Sequence, residues 1–368
     1  KRQYEAHTCD PSLPKPSQGA LRRRLNAVKR TEYPWMLEVT KNAPQMAIIH
    51  LGDAFKRFFR GEARYPTFRK KGIDDRFTLT NDQVAVKGKR VRIPKLGWVR
   101  MRESVRFEGR ILSATVSKRA DRWFISFSID IEDTLNLAGT RPVAPRVGGV
   151  VGVDLGVKTF VTLSTGESIP GPKPHKALLN RQRRLARSLA RKQKGSRNRA
   201  KTKRKLARLH DRIANIRLDA THNLTTRLTR EFDTIAIEDL NVRGMLKNHQ
   251  LARAISDMAF YEFRRQLAYK SEERGSQLVV ADRWFASSKT CHACGKKNET
   301  LELSNRSWTC GTCGRHHDRD LNAARNLAAS AVSSAVSACG GEGSDVDTTL
   351  DVKPAPTKQE ASIIPIYT

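Results

Sequence analysis

Acidic residues are what this chain has least of relative to its charge. Only 37 Asp and Glu stand against 69 Lys and Arg in 368 residues, a net charge of +32. No small-molecule substrate calls for that much positive charge on one chain, whereas a polyanion does, so nucleic acid is the expected partner. Long apolar runs are missing as well, and no basic amphipathic anchor accompanies the charge, so a membrane partner is not expected. Cysteine is scarce and uneven. Of six, four form two C-x-x-C pairs and Cys9 and Cys339 stand apart, which is not the dense framework of a secreted disulfide protein; metal binding in a reducing compartment fits better. Without a signal peptide in view, the expected location is the cytoplasm. The hydrophobic fraction of 38% is ordinary for a folded protein of two or three domains.

Along the chain the periodicity changes three times. Residues 1–62 read as helical: GALRRRLNAVKR, a turn at TEYPW, then NAPQMAIIHLGDAFKRFFR, in which Ala47, Leu51, Ala54 and Phe58 recur at helical spacing. Residues 63–140 switch towards period two through RFTLTND, QVAVKG, KRVRIPKLGWVRM, ILSATVSKR and DRWFISFSIDIE, short antiparallel strands that suggest a small barrel or sandwich. Pro and Gly accumulate in NLAGTRPVAPRVGG, a linker. From 141 to 284, apolar strands at 148–155, in FDTIAIEDL and in SQLVVADRW alternate with helical segments, among them one at 251–273, which indicates an α/β layer.

Between Lys176 and Arg212 lie sixteen Lys or Arg and a single acid, Asp211. Leucines at 178, 185 and 189 and an apolar row at 206, 209, 213 and 216 predict two basic amphipathic helices joined by QKGSRNRAKT, followed by another helix ending near Glu231. A solvated surface hairpin is the plain alternative, but so one-sided a charge repels itself unless a polyanion lies beside it. Arg183, Arg184, Arg187, Arg191, Lys203 and Arg204 are therefore candidate contacts to backbone phosphates.

The most specific local motif is CHACGKKNETLELSNRSWTCGTCG. Cys291 and Cys294 are separated by fifteen residues from Cys310 and Cys313, the spacing at which two knuckles close a tetrahedral thiolate site around one structural Zn²⁺. A spaced duplicate is not the usual form of a redox C-x-x-C pair. Three carboxylates remain. Asp154 sits in GVDLGVKTF, the most apolar run of the chain; Glu238 ends a later strand; Asp320 opens the helix after the cysteines. Singly each has a dull reading as a turn or cap, as Asp318 does for RDLNAARN. Together an α/β sheet brings them to one edge, where clustered acids repel unless divalent cations neutralise them. Such sets hold two Mg²⁺ roughly 3.5 to 4 Å apart for phosphodiester hydrolysis.

GVDLGVKTF, IAIEDLNVRGM, the stretch from CHACG to TCGRHHDRDLNAARN, and YPTFRKKG with KLGWVRM resemble the TnpB nucleases of bacterial transposons, relatives of the type V CRISPR effectors. The resemblance runs to about residue 330. It implies a multidomain α/β and β-barrel architecture: a helical recognition lobe at 1–62, a wedge barrel of OB type at 63–140, and a RuvC-like nuclease of RNase H fold at 141–284 and 317–338. The basic hairpin at 176–230 lies within the nuclease, a zinc ribbon at 285–316 interrupts it, and residues 339–368, poor in core-formers, form a disordered tail. The resemblance further implies that Asp154, Glu238 and Asp320 are the catalytic, magnesium-binding acids. It implies a guide RNA from the transposon end and cleavage of both strands of a DNA duplex beside a short motif, by a monomer in a ribonucleoprotein. Lys41, Gln45 and Thr80 are candidate readers of that motif. About thirty to forty residues, a strand and a helix, are expected ahead of Lys1. Rival readings are a catalytically idle RNA-guided repressor, a transposase or transposase accessory protein, and a guide-independent hybrid or junction nuclease. The three retained acids speak against the first, and the basic bulk has no role in the second.

Overall fold

In this computed structural model the described residues are 7, 9, 10, 12, 17–130, 148–302, 304–339 and 362–367. The chain forms two compact units, residues 1–139 with 351–368, and residues 140–350. Most of the linker expected at 136–149 lies outside the described residues.

In the first unit, helix α1 (Gln18–Val28) starts at Ser17, whose hydroxyl accepts from the Ala20 N–H, the usual N-terminal cap. Helix α2 (Asn42–Phe59) follows. It forms where the spacing predicts, but Ala47 and Leu51 stay exposed, so the expected apolar stripe is not its buried face. Gly52 instead packs on Gln18, while Phe55 and Phe58 meet Tyr65 edge-on at 5.7 and 5.4 Å. Six strands come next: β1 (Arg76–Thr80), β2 (Ala85–Lys87), β3 (Arg90–Ile93), β4 (Gly97–Met101), β5 (Arg110–Arg119) and β6 (Arg122–Asp130). Their inward residues alternate, Ala114 and Val116 with Ile125 and Phe127, and bury one core with Leu79, Val91, Ile93 and Met101.

Two expectations change here. The tail is not wholly without structure, because Ser362–Tyr367 is a strand paired antiparallel with β6 and β4. Its β-rich sequence SIIPIY fills the gap between those strands, and residues 340–361 lie outside the described ones. The seven-stranded sheet, in the order β1, β5, β6, terminal strand, β4, β3, β2, is also not closed into a barrel by its ladder among the described residues. β1 and β2 are its edges, because a short turn of 3₁₀ helix (Asn81–Gln83) joins them without pairing them.

The second unit is built on a five-stranded sheet: β7 (Val150–Leu155), β8 (Val161–Leu163), β9 (Ser168–Ile169), β10 (Thr234–Glu238) and β11 (Gln277–Ala281), in the order β11, β10, β7, β8, β9. β7 to β9 form an antiparallel meander, whereas β10 lies parallel to both β7 and β11. Helix α3 (Pro174–Ala190) and the 35-residue α4 (Arg197–Glu231) lead from the meander to β10. The two helices expected after the QKGSRNRAKT turn are thus one, because no Pro or Gly interrupts the chain between Arg197 and Glu231. The segment expected as one helix at 251–273 is instead two, α6 (Ala252–Met258) and α7 (Phe260–Arg274), after the short α5 (Val242–Met245). Ala259, at φ 53°, breaks it.

One buried carboxylate ties this helical layer together. Asp257 accepts from the His175 and Lys176 N–H groups at 3.0 Å each, at the start of α3, and from Arg217 of α4 at 2.6 and 3.0 Å. A charge so buried is tolerable because four donors surround it.

The sheet has two unlike faces. Val151, Val153, Ile235 and Ile237 pack with Leu228 of α4 and Phe263 and Leu267 of α7. The alternate residues, Gly152 and Ala236, face α8 (Arg319–Cys339), which brings Leu327 and Ala331 onto the sheet. The approach is close: a Cβ on Gly152 would lie 1.8 Å from the Ala324 carbonyl oxygen and 2.6 Å from the Ala328 nitrogen. Only glycine fits. Gly152→Ala must therefore push α8 off β7, and a loss of about 1–3 kcal/mol or more is expected for such overpacking, measurable by denaturant unfolding.

Candidate active site and thiolate centre

The same geometry aligns the acids. Thr234 to Ile237 pair in order with Val150 to Val153, so the next residues, Asp154 and Glu238, stand side by side at the C-terminal ends of adjacent parallel strands, on the face that carries Gly152 and Ala236. Asp320 lies in the first turn of α8, four residues before Ala324, and so arrives above the same edge. Asp318, by contrast, is a cap: its carboxylate accepts from the Leu321 N–H at 2.9 Å.

Asp154 feels the other two acids. Burial pushes the Asp154 carboxyl well above its ordinary 3.8, and the charges of Glu238 and Asp320 push it further, with Arg319 opposing. Glu238 accepts from the Ser287 hydroxyl at 2.5 Å, and Asp320 lies 3.5 Å from an Arg306 guanidinium nitrogen. Beside them Asp239 accepts from both Arg264 and Arg283, and these hydrogen bonds hold its carboxyl below the usual range.

Four sulfurs form the second centre. The donor atoms of Cys291, Cys294, Cys310 and Cys313 all lie within 4.8 Å of one another, the one such group of three or more His, Cys, Asp or Glu among the described residues. Each knuckle is built alike: Gly295 and Gly314, at φ 74° and 70°, turn their N–H groups to the carbonyls of Cys291 and Cys310 at 2.8 and 2.9 Å. The Cys313 and Thr312 N–H groups donate to the Cys310 sulfur and bring its pKa to about 6. Although the Lys296 N–H donates to it, the Cys294 thiol is pushed up to about 12 by burial and by the three sulfurs crowding it. Four thiolates repel one another unless a cation sits among them, and this donor set and spacing fit Zn²⁺. His317, buried against Trp308, brings Nε2 to 3.0 Å from the Cys291 sulfur.

The two centres share a loop. Asn326 donates to the Ser287 and Thr290 carbonyls at 2.7 Å each, Asn322 donates to Thr290 at 2.7 Å, and Asn322 in turn accepts from the His292 N–H at 3.0 Å. Residues 287–292 therefore touch Glu238 through Ser287, the first turns of α8 through these amides, and the thiolate centre through Cys291.

The candidate phosphate contacts all belong to the hairpin of α3 and α4. Arg183, Arg184 and Arg187 on α3, Arg191 at its end, and Lys203 and Arg204 on α4 are all exposed. The corner between these helices is held by Arg199, which donates to the Leu189 and Lys192 carbonyls at 2.6 and 2.7 Å. In the other unit Lys41 and Thr80, far apart in sequence, converge on Asp82. Lys41 pairs with it at 3.0 Å, Thr80 donates to it, and Asn42 donates to Thr80 at 2.6 Å. The hydrogen bond from Thr80, then that from Lys41, lowers Asp82 to about 2. Gln45 lines a groove of about 340 Å³ with Lys41, Arg22, Lys29 and Lys95.

Sequence reasoning missed Ser287, Arg306, Arg264 and Arg283. One signal was available for Arg306. The alternating segments SWT and HHD pair as a hairpin, β12 (Ser307–Thr309) with β13 (His316–Asp318), and the Arg306 carbonyl accepts from the Arg319 N–H at 2.8 Å, which sets Arg306 beside Asp320.

An α/β sheet with an acidic edge, interrupted by a four-cysteine module, is the class that the fold defines. Residues 126–249 match the OrfB_IS605 family, described as "Probable transposase", and residues 260–327 match the TNB domain of Cas12f1-like proteins. A protein of Streptomyces pristinaespiralis named as an RNA-guided DNA endonuclease is 44% identical over 322 residues, 85% of this chain and 76% of that protein. InsQ of Escherichia coli (strain K12), with the same designation, is 35% identical over 326 residues, 84% of this chain and 79% of its own length. Among solved structures, the cryo-EM structure of a Cas12f1–sgRNA–target DNA complex covers 88% of this chain and 78% of its own at 14% identity, with a TM-score of 0.48. The chain belongs to the OrfB_IS605 (TnpB) transposase family. No helix among the described residues is long and apolar enough to cross a membrane.

Two outcomes follow from this geometry. Because the Asp154 carboxyl titrates above its ordinary value in the folded state, ionising it costs stability. That cost is absent below the ordinary carboxylate range and is complete once the pH exceeds the raised value. In metal-free buffer, Asp154→Asn is therefore expected to raise the melting temperature by a few degrees near neutral pH and to lose that advantage in acid; calorimetry across pH checks it. A metal held by the four sulfurs would pin this loop, so stripping it should loosen residues 284–320 and displace Asp320. Hydrogen exchange with and without a zinc-selective chelator reads this directly, and unchanged protection in the first turn of α8 would refute the coupling.

Proposed function

We propose that this protein is an RNA-guided DNA endonuclease whose active centre is Asp154, Glu238 and Asp320 on a RuvC-like domain. The observation that carries this reading is the alignment of Asp154 and Glu238 at the ends of adjacent parallel strands under the helix that bears Asp320, with the Asp154 carboxyl raised by burial and by the charges of the other two. The acids would hold two Mg²⁺, which activate water and stabilise the leaving oxygen in phosphodiester hydrolysis. Ser287 orients Glu238 by its hydrogen bond, and Arg306 holds Asp320 and adds positive charge where a phosphate would arrive. The thiolate centre would carry one structural Zn²⁺ and fix the loop on which both depend.

The exposed arginines and lysines of α3 and α4 suit a phosphate backbone, because each neutralised phosphate releases counterions. The name shared by its relatives, RNA-guided DNA endonuclease, supports the partners: a guide RNA from the transposon end and a DNA duplex. Base pairing would supply specificity, while the protein reads helix shape and a short adjacent motif. Lys41, Thr80 and Gln45 lie together and suit that last task. The monomeric ribonucleoprotein, held in the prokaryotic cytoplasm near the nucleoid, belongs to the same proposal.

The test is to express the protein with its neighbouring transposon end and challenge the ribonucleoprotein, in Mg²⁺, with a plasmid library bearing the guide-matched target beside randomised flanks. Cleavage is expected only at matched targets with one flanking motif, and Asp154→Ala should abolish it. Equal binding without cleavage by both proteins would leave an RNA-guided repressor instead.

A further inference from the structure

Beside the acidic edge lies a cleft of about 300 Å³ in which Glu238 is the one member of the three acids. It is bounded by the chain leaving β10, the first turns of α7, and Arg283 just after β11. Arg243, Arg264, Arg283 and Tyr261 line it together with Glu238 and Asp239.

Its chemistry is specific. Phe260 and Phe263 of α7 are buried in the core, whereas Tyr261 is 71% exposed. Arg264 stands three residues on, on the same helix face. Asp239 accepts from Arg264 and, at 2.5 Å, from Arg283, so one carboxylate braces two planar guanidinium groups that arrive from different elements. One negative charge does not neutralise two. Each guanidinium carries five N–H donors and remains about half exposed, 45% for Arg264 and 50% for Arg283. Two forks held in place, with donors to spare, suit a phosphate, and a bare aromatic ring one turn away suits a base.

We infer that this cleft is the subsite for the nucleotide adjoining the cut phosphate in single-stranded DNA, with Arg264 and Arg283, braced by Asp239, holding its backbone phosphate and Tyr261 stacking on its base. The strand must be single because a base paired within a duplex does not offer its face to a side chain. Asp239 is a positioning residue here and touches no substrate. The inference rests on reading the acidic edge as the nuclease centre.

The experiment uses the full-length, guide-loaded protein with Tyr261→Ala and Tyr261→Phe, on targets carrying one abasic position scanned across the nucleotides beside the cut. Because Tyr261 is exposed, both variants should melt with the wild type. Tyr261→Ala is expected to lower kcat/KM on the order of tenfold, while Tyr261→Phe keeps it. One abasic position should cost the wild type the same factor and cost Tyr261→Ala nothing more. Additive losses at every position, or no loss at all, would overturn the inference. A second readout separates it from the nuclease reading. In Ca²⁺, 2-aminopurine at that position should be quenched by the wild type and by Tyr261→Phe, but not by Tyr261→Ala. Quenching without any cleavage in Mg²⁺ would sink the nuclease, and with it the cut-adjacent role, and leave only a nucleotide-binding cleft; cleavage with no quenching difference would sink the subsite and leave the nuclease.

Discussion

The contact on which the second unit depends is the seating of α8 on β7 at Gly152. Backbone meets backbone there because neither Gly152 nor the alanines opposite it carry a side chain large enough to hold them apart. The small pair Gly152 and Ala236 lets the helix down onto the sheet, and the next residues on that face, Asp154 and Glu238, then stand under the helix's first turn, where Asp320 lies. Lift the helix and the acids separate. The arrangement is electrostatically unfavourable by itself, as the raised Asp154 carboxyl records, so apolar packing of α8 holds together three groups that would otherwise move apart.

The cysteine module secures the same contact from the other side. Its loop at 287–292 reaches Glu238 through Ser287 and the start of α8 through Asn322 and Asn326. Four sulfurs would fill a tetrahedral shell and leave a bound metal no open position. What it can do is hold a loop still. Behind the sheet, Asp257 secures α3 and α4 through two N–H groups and Arg217, so the exposed basic residues of that hairpin stand on a braced layer. A polyanion gripped by those residues would be gripped by the same body that carries the acids.

Much of this was readable in the chain. Spacing alone marked the four cysteines, because knuckle geometry is local and each pair turns on its own glycine. Period-two alternation found five segments that hold β1 to β6, with β3 and β4 run together in KRVRIPKLGWVRM, and apolar runs found β7, β10 and β11. Other features were hidden because they depend on distant partners. Helix α2 buries Asn42 and leaves Ala47 and Leu51 exposed, since what it packs against decides its inner face. The strand at Ser362–Tyr367 sits among residues with little else to form a core, and only the vacant place between β6 and β4 makes it a strand. Arg306 and Ser287 carry no motif.

By itself, then, the sequence pointed to a polyanionic class of partner, through a net charge of +32, and marked the four cysteines and the three acids as candidates. Tertiary structure decided which of several carboxylates face one another: the parallel register of β7 and β10 and the close approach at Gly152 bring Asp154, Glu238 and Asp320 to one edge, while they leave Asp318 as a cap and Asp239 as a brace for two arginines. Chemical type is written residue by residue. Which charges oppose one another depends on register and helix seating, which no single segment of the chain contains.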